Sequence, residues 1–157
     1  VSAEDAIAGD IAWASFRGLV SGTLMIIVAV FMGILPVSLI SLLLLLLLMI
    51  FVGILFASLA MIVTSFAPSF DFFNYYTELV ITPMLFFSGV FFPLDRFPPW
   101  MKSLSWFMPL THAVKISRAV FSGTSDPGLI FNFLIIFVLE VIAFFIGLKL
   151  MKRRLIK

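Results

Sequence analysis

Cysteine is absent from the chain, which excludes a disulfide framework, a thiolate metal site and a cysteine nucleophile together. Charge is scarce as well. Asp, Glu, Lys and Arg make up 11% of the 157 residues, whereas a soluble domain carries about 25%. There is one histidine, His112, and no Gly-x-x-x-x-Gly-Lys-Ser/Thr loop, so no ATP-binding signature is present. The start is acidic, begins at Val1 and lacks a basic stretch before an apolar run. The expectation is therefore of no signal peptide, and of a fragment of a longer protein.

What is abundant is apolar: hydrophobic residues reach 63% and mean hydropathy is +1.26. A surface of that composition belongs in lipid, so the fold class expected is an all-α integral membrane protein. The net charge of +2 carries no argument for nucleic acid, because five of the ten basic residues are Lys149, Lys152, Arg153, Arg154 and Lys157. The basic character is that of a tail.

Four apolar segments approach the ~20 residues that cross a ~30 Å hydrocarbon core. They are 11–35, 36–66, 75–92 and 129–150, giving four transmembrane helices. The second holds seven consecutive leucines, Leu42 to Leu48. At ~45 Å it exceeds the core and predicts tilt or projection. The first carries Ala14, Gly18 and Gly22 at four-residue spacing, a stripe that lets another helix approach; Gly53 and Ala57 repeat it more weakly on the second. Its plainer reading is that glycine is common in membrane helices.

The third segment has Pro83 in its middle and Ser88-Gly89 beyond, which predicts a kinked span. The linker 93–128 is too long for a turn. Pro98 and Pro99 suit the first turn of a short helix through Phe107, stopped by Pro109. Thr111 suits the cap of a second helix closed by Ser122-Gly123. His112, Lys115, Arg118 and Ser122 would form one wet stripe on it. Neither piece is long enough to span, so both read as re-entrant or interfacial helices. Basic residues divide almost evenly between the two sides, and their density in 151–157 favours a cytoplasmic tail.

Candidate chemistry is thin. Ser2-Ala3-Glu4-Asp5 has the Ser-x-x-Asp spacing of a helix start, either a solvated lead-in or a helix that docks on a partner. Glu140 lies near the centre of the last span, where an ionisable group costs a few kcal/mol and should face the bundle interior or water. It suits a proton or substrate contact, or a neutral hydrogen-bonded packing role. For His112 to act as a base, a carboxylate four residues on would help, but residue 116 is Ile. A capping or interface role fits it better. No metal, cofactor-binding or catalytic set emerges.

The run Ile81-Thr82-Pro83-Met84, Phe86-Phe87-Ser88-Gly89 and Phe91-Phe92-Pro93-Leu94, then Pro98-Pro99-Trp100 and Leu110-Thr111-His112-Ala113, resembles the permease subunits of ABC-2 type transporters. The likeness is greatest to the branch exporting nodulation factors (lipo-oligosaccharides) and conferring drug resistance. Val1 to Asp5 and Gly9 to Trp13 resemble that family's segment before its third span. The resemblance implies spans three to six of a six-span permease in the bacterial cytoplasmic membrane, with both ends of this chain cytoplasmic. Residues 1–10 would be the coupling-helix region, with Ser2, Glu4, Asp5, Ile7 and Asp10 meeting a separate ATPase subunit that holds ATP and Mg. Pro83, Gly89, Pro93, Pro98, Pro99, Trp100, His112 and Arg118 would shape a region returning into the outer leaflet. A second permease copy or a homologue, and membrane lipids, are the other implied partners. The rival readings are a membrane-embedded transferase using His112 and the charged linker, and a passive membrane assembly subunit.

Overall fold

The computed structural model describes residues 3–34, 38–123 and 127–155. Ser2, Leu35, Pro36 and Lys157 of the reading above lie outside them. The described chain is helical throughout: α1 (Ala3–Phe31), α2 (Leu39–Phe66), α3 (Asp71–Tyr76), α4 (Thr82–Phe87), α5 (Pro99–Trp106), α6 (Pro109–Ser122) and α7 (Gly128–Leu155). Among the described residues α1, α2 and α7 are long and apolar enough to cross a membrane.

The expected span 75–92 differs from these three. A π-helical turn, Thr77–Ile81, joins α3 to α4, so residues 71–87 form one interrupted helix. Its seventeen residues reach ~25 Å, short of a ~30 Å core. The interruption has a local cause: Pro83 has no N–H and its ring crowds the carbonyl four residues back. The wider turn relieves this, and the Thr77 carbonyl accepts both the Thr82 N–H and, at 3.1 Å, the Thr82 hydroxyl.

Boundaries shift elsewhere too. The acidic start and the first span form a single helix of 29 residues with no break near Gly9. Thr111 does not cap α6, because Met108 takes that position and Pro109 begins the helix. Proline suits a first helical turn, where its missing N–H is not needed, so Pro109 starts one helix where it was expected to stop another. Pro99 likewise opens α5. Gly123, at φ +64°, closes α6 as expected. The basic tail is the last turn of α7 through Leu155.

The three long helices pack around α2. It runs antiparallel to α1, with Gly22 against Met49 and Gly53 against Ser15. It runs parallel to α7: the Phe51 ring packs edge-on to Phe133 and Phe137, and further along Gly147 meets the Ser58 carbonyl. The leucine run divides by helical period, Leu45 and Leu48 inward, Leu43, Leu44 and Leu47 outward. Ile26, Leu55, Ile116, Ile136 and Ala143 complete the core with them.

The segment after α4 folds back on the bundle through polar bonds to its own carbonyls. The Ser105 hydroxyl of α5 lies 2.6 Å from Phe87 O and 2.8 Å from Met101 O, two acceptors that share its one proton. The Arg118 guanidinium of α6 donates to Gly89 O. Gly89 sits at φ +87°, and a Cβ there would meet Leu94 Cγ at 2.9 Å.

Two substitutions test this packing in the full-length protein. A side chain at Gly53 would come within 3.2 Å of the Ser15 Cα, so Gly53→Val should cost about 1–3 kcal/mol and lower the thermal midpoint in detergent. Gly9→Ala, where a Cβ meets nothing within 4 Å, should not. Gly89→Ala should cost about 1–3 kcal/mol through backbone strain and its Leu94 contact, and should expose the 88–98 turn to protease.

Candidate functional site

At one end of the bundle, α1 begins where α2 and α7 finish. Lys152 pairs with Glu4, both side chains about half exposed. Arg154 donates to Thr64 O, which also accepts from the Ala67 N–H, and, at 2.9 Å, to Ala67 O just past the end of α2. These contacts fix the acidic first turn of α1 beside the basic last turn of α7. Of the residues expected to couple to a partner, Glu4, Asp5 and Asp10 lie on the open face, while Ile7 is buried in the bundle.

The other end carries the interrupted helix, α5 and α6. His112 was expected on a wet stripe, but it is 2% exposed. Its Nδ1 lies 2.7 Å from Asn132 Oδ1 on α7 and its Nε2 lies 2.9 Å from the Trp106 carbonyl. The Asn132 amide is oriented by its own Nδ2, which donates to Gly128 O at 2.8 Å. The imidazole therefore faces two acceptors. A neutral ring donates to one of them and a doubly protonated ring to both. In both states each nitrogen lies against a protein oxygen, and the Trp106 ring stands edge-on to the imidazole at 6.0 Å. This is a strut tying α5, α6 and α7 together, with no nitrogen left for a substrate.

The remaining expected residues separate. Pro83 follows the π turn, Pro93 precedes a short 3-10 turn (Leu94–Arg96), and Pro98 and Pro99 start α5 with Trp100 exposed. Arg118 holds Gly89. Ala14 and Gly18 lie on the open side of α1, and a Cβ on Gly18 would meet nothing within 4 Å. Gly22 is filled by Met49. Glu140 faces the interior, and its Oε2 has no hydrogen-bond partner. Ser15 and Ser58 likewise bury hydroxyls without partners. Among the described residues no three His, Asp or Glu side chains gather closely enough to hold a metal ion.

Asn132, Ser105, Arg154 and the Trp106 carbonyl were missed by sequence reasoning. Asn132 had a readable signal, being the one side-chain amide in a largely apolar span, where such groups seek interhelical bonds. Ser105 and Arg154 act on main-chain carbonyls and the Trp106 group is one, and no side-chain pattern marks these.

Residues 1–122 match the sequence model of the ABC-2 type transporter family. Nodulation protein J of Sinorhizobium fredii is 38% identical over 152 residues, covering 97% of this chain and 57% of that protein. Nodulation protein J of Rhizobium meliloti is 35% identical over 155 residues, covering 99% of this chain and 58% of that protein. The inner membrane transport permease YadH of Escherichia coli is 28% identical over 147 residues, covering 94% of this chain and 57% of that protein. The chain thus spans a little over half the length of these relatives. No solved structure matches it significantly. With a family match over most of its residues and an all-helical bundle suited to a membrane, the chain belongs to the ABC-2 type transporter family.

Proposed function

We propose that this chain is part of the permease subunit of an ATP-binding cassette exporter in the bacterial inner membrane. Its substrate would be amphipathic or lipid-linked, such as a lipo-oligosaccharide, a polysaccharide or a hydrophobic drug. A separate ATPase subunit would bind ATP and Mg and supply the energy. The observation that carries this reading is the asymmetry of the bundle. The acidic start of α1 meets the basic end of α7 at one pole, and the interrupted helix with α5 and α6 occupies the other. The first pole suits the cytoplasmic face and a docking partner. The second suits an outer mouth of short, non-spanning helices.

The unbroken α1 gives the coupling a physical route. A helix of 29 residues moves as a rod, so a push on Glu4, Asp5 and Asp10 arrives undiminished at the tight Ser15–Gly53 crossing. A second permease copy or a homologue would complete the pathway, and the open Ala14–Gly18 face of α1 is the surface proposed to receive it. The relative called a transport permease supports the class of activity.

Charge reversal tests the docking. In the full-length permease with its ATPase, Glu4→Lys with Asp5→Lys should lower transport-coupled ATP hydrolysis about tenfold, the scale of one or two lost charge-assisted contacts. The swap Glu4→Lys with Lys152→Glu restores the internal ion pair but not the acidic surface. It should stay impaired, and full recovery of export by the swap would show that Glu4 serves only the bundle.

His112→Ala separates a transporter from a transferase. It removes the imidazole donor that Asn132 Oδ1 and Trp106 O face, about 1–3 kcal/mol for a buried acceptor left unmet, so the thermal midpoint should fall. Turnover per folded molecule should persist, whereas its abolition would favour His112 as a reacting group.

A further inference from the structure

Beside the His112 strut lies a cleft of about 200 Å³ lined by Leu94, Asp95, Lys102, Ser105, Trp106, Thr111 and Lys115. Its floor is polar and dry: Thr111 is 1% exposed and Ser105 2%. The Ser105 hydroxyl is committed to Phe87 O and Met101 O, and the Trp106 carbonyl to His112. The Thr111 hydroxyl has no hydrogen-bond partner. A buried hydroxyl without a partner costs free energy that a ligand atom can recover.

The rim carries the charge. Lys102 comes from α5, Lys115 from α6 and Asp95 from the turn before them, and all three side chains are exposed. Among the described residues none of the three is engaged in an ion pair. Two ammonium groups and one carboxylate give a cleft of net charge +1. The lysines suit a phosphate as point charges with free donors, and the carboxylate accepts from a hydroxyl on the same ligand. Drug-sized pockets run to about 300–1,000 Å³, so a space near 200 Å³ takes a headgroup and not a whole amphipath.

The surroundings name the source of that headgroup. Trp106 lines the cleft and is half exposed, and Trp100, Phe107, Phe91 and Phe92 are exposed on the same 91–107 segment. Indole rings beside lysines mark the level of lipid headgroups. We infer that this cleft binds the anionic, hydroxyl-bearing phosphodiester headgroup of a membrane amphipath, with Lys102 and Lys115 on the phosphate, Asp95 on a headgroup hydroxyl and Thr111 at the floor. The assignment rests on α5 and α6 lying at a membrane surface and is independent of which substrate is exported.

The test uses the full-length permease in nonionic detergent, titrated with short-chain phosphatidylglycerol and followed by native mass spectrometry. Lys102→Gln with Lys115→Gln should raise the apparent Kd about tenfold or more, the loss expected for two charge-assisted bonds. Thr111→Val, which keeps the shape, should raise it about threefold, as for one neutral bond. Phosphatidylcholine, which lacks both the net charge and the hydroxyls, should bind at least about tenfold more weakly than phosphatidylglycerol. Unchanged binding by the lysine variant, with its thermal midpoint intact, would overturn the site, as would equal binding of the two lipids. Inorganic phosphate binding as tightly as the lipid would overturn the lipid source. Loss of lipid binding with ATP-driven export intact in the same variant would support the cleft while leaving the transport reading standing.

Discussion

A main-chain carbonyl that ends a helix in apolar surroundings must find a donor, and the polar side chains that reach between elements of this bundle answer that need. Water meets it at the surface of a soluble protein, but lipid cannot. The end of α2 is met by Arg154, the turn after α4 by Ser105 and Arg118, and the end of α5 by His112. Each donor comes from a later helix, so the chain is stitched backwards as it proceeds.

The apolar surroundings also shape the packing. Greasy helices gain little by burying greasy faces in lipid, so close approach of backbones must supply the contact energy. That approach occurs where α2 offers Gly53 to Ser15 and where α7 offers Gly147 to Ser58. Both crossings place a serine opposite a glycine, and both serines keep buried hydroxyls without side-chain partners. With the Glu140 carboxyl, they make the centre of the bundle more polar than its ends of helix suggest. The two crossings are what hold α1 and α7 against α2.

How much of this was legible follows from what a side-chain pattern can encode. The long apolar runs disclosed α1, α2 and α7, and the prolines disclosed α5 and α6 as separate short helices. The face that α1 turns to α2 was not legible, because a helix apolar all round shows no preferred side. Ala14, Gly18 and Gly22 form a visible stripe, yet Ser15 makes the tight contact and Ala14 and Gly18 stay open. His112 read as the head of a wet stripe because its spacing to Lys115 and Arg118 is helical. Its partner Asn132, twenty residues on, turns it inward. The π turn was equally hidden: Pro83 announces a disturbance, but the choice of a wider turn over a sharp kink depends on the two bonds to the Thr77 carbonyl.

These placements divide the bundle into a stiff part and a hinged part. For α4 to move against α5 and α6, the Ser105 bond to Phe87 and the Arg118 bond to Gly89 must both break. Each such loss costs about 1–3 kcal/mol, so α4, α5 and α6 are bound to travel together. His112 extends that body to the start of α7 through Asn132. By contrast, the π turn at Thr77–Ile81 already lies one residue from regular helix, and relaxing it leaves every bond to α5 and α6 in place. Bending of the interrupted helix that leaves these bonds in place therefore falls at Thr77–Ile81.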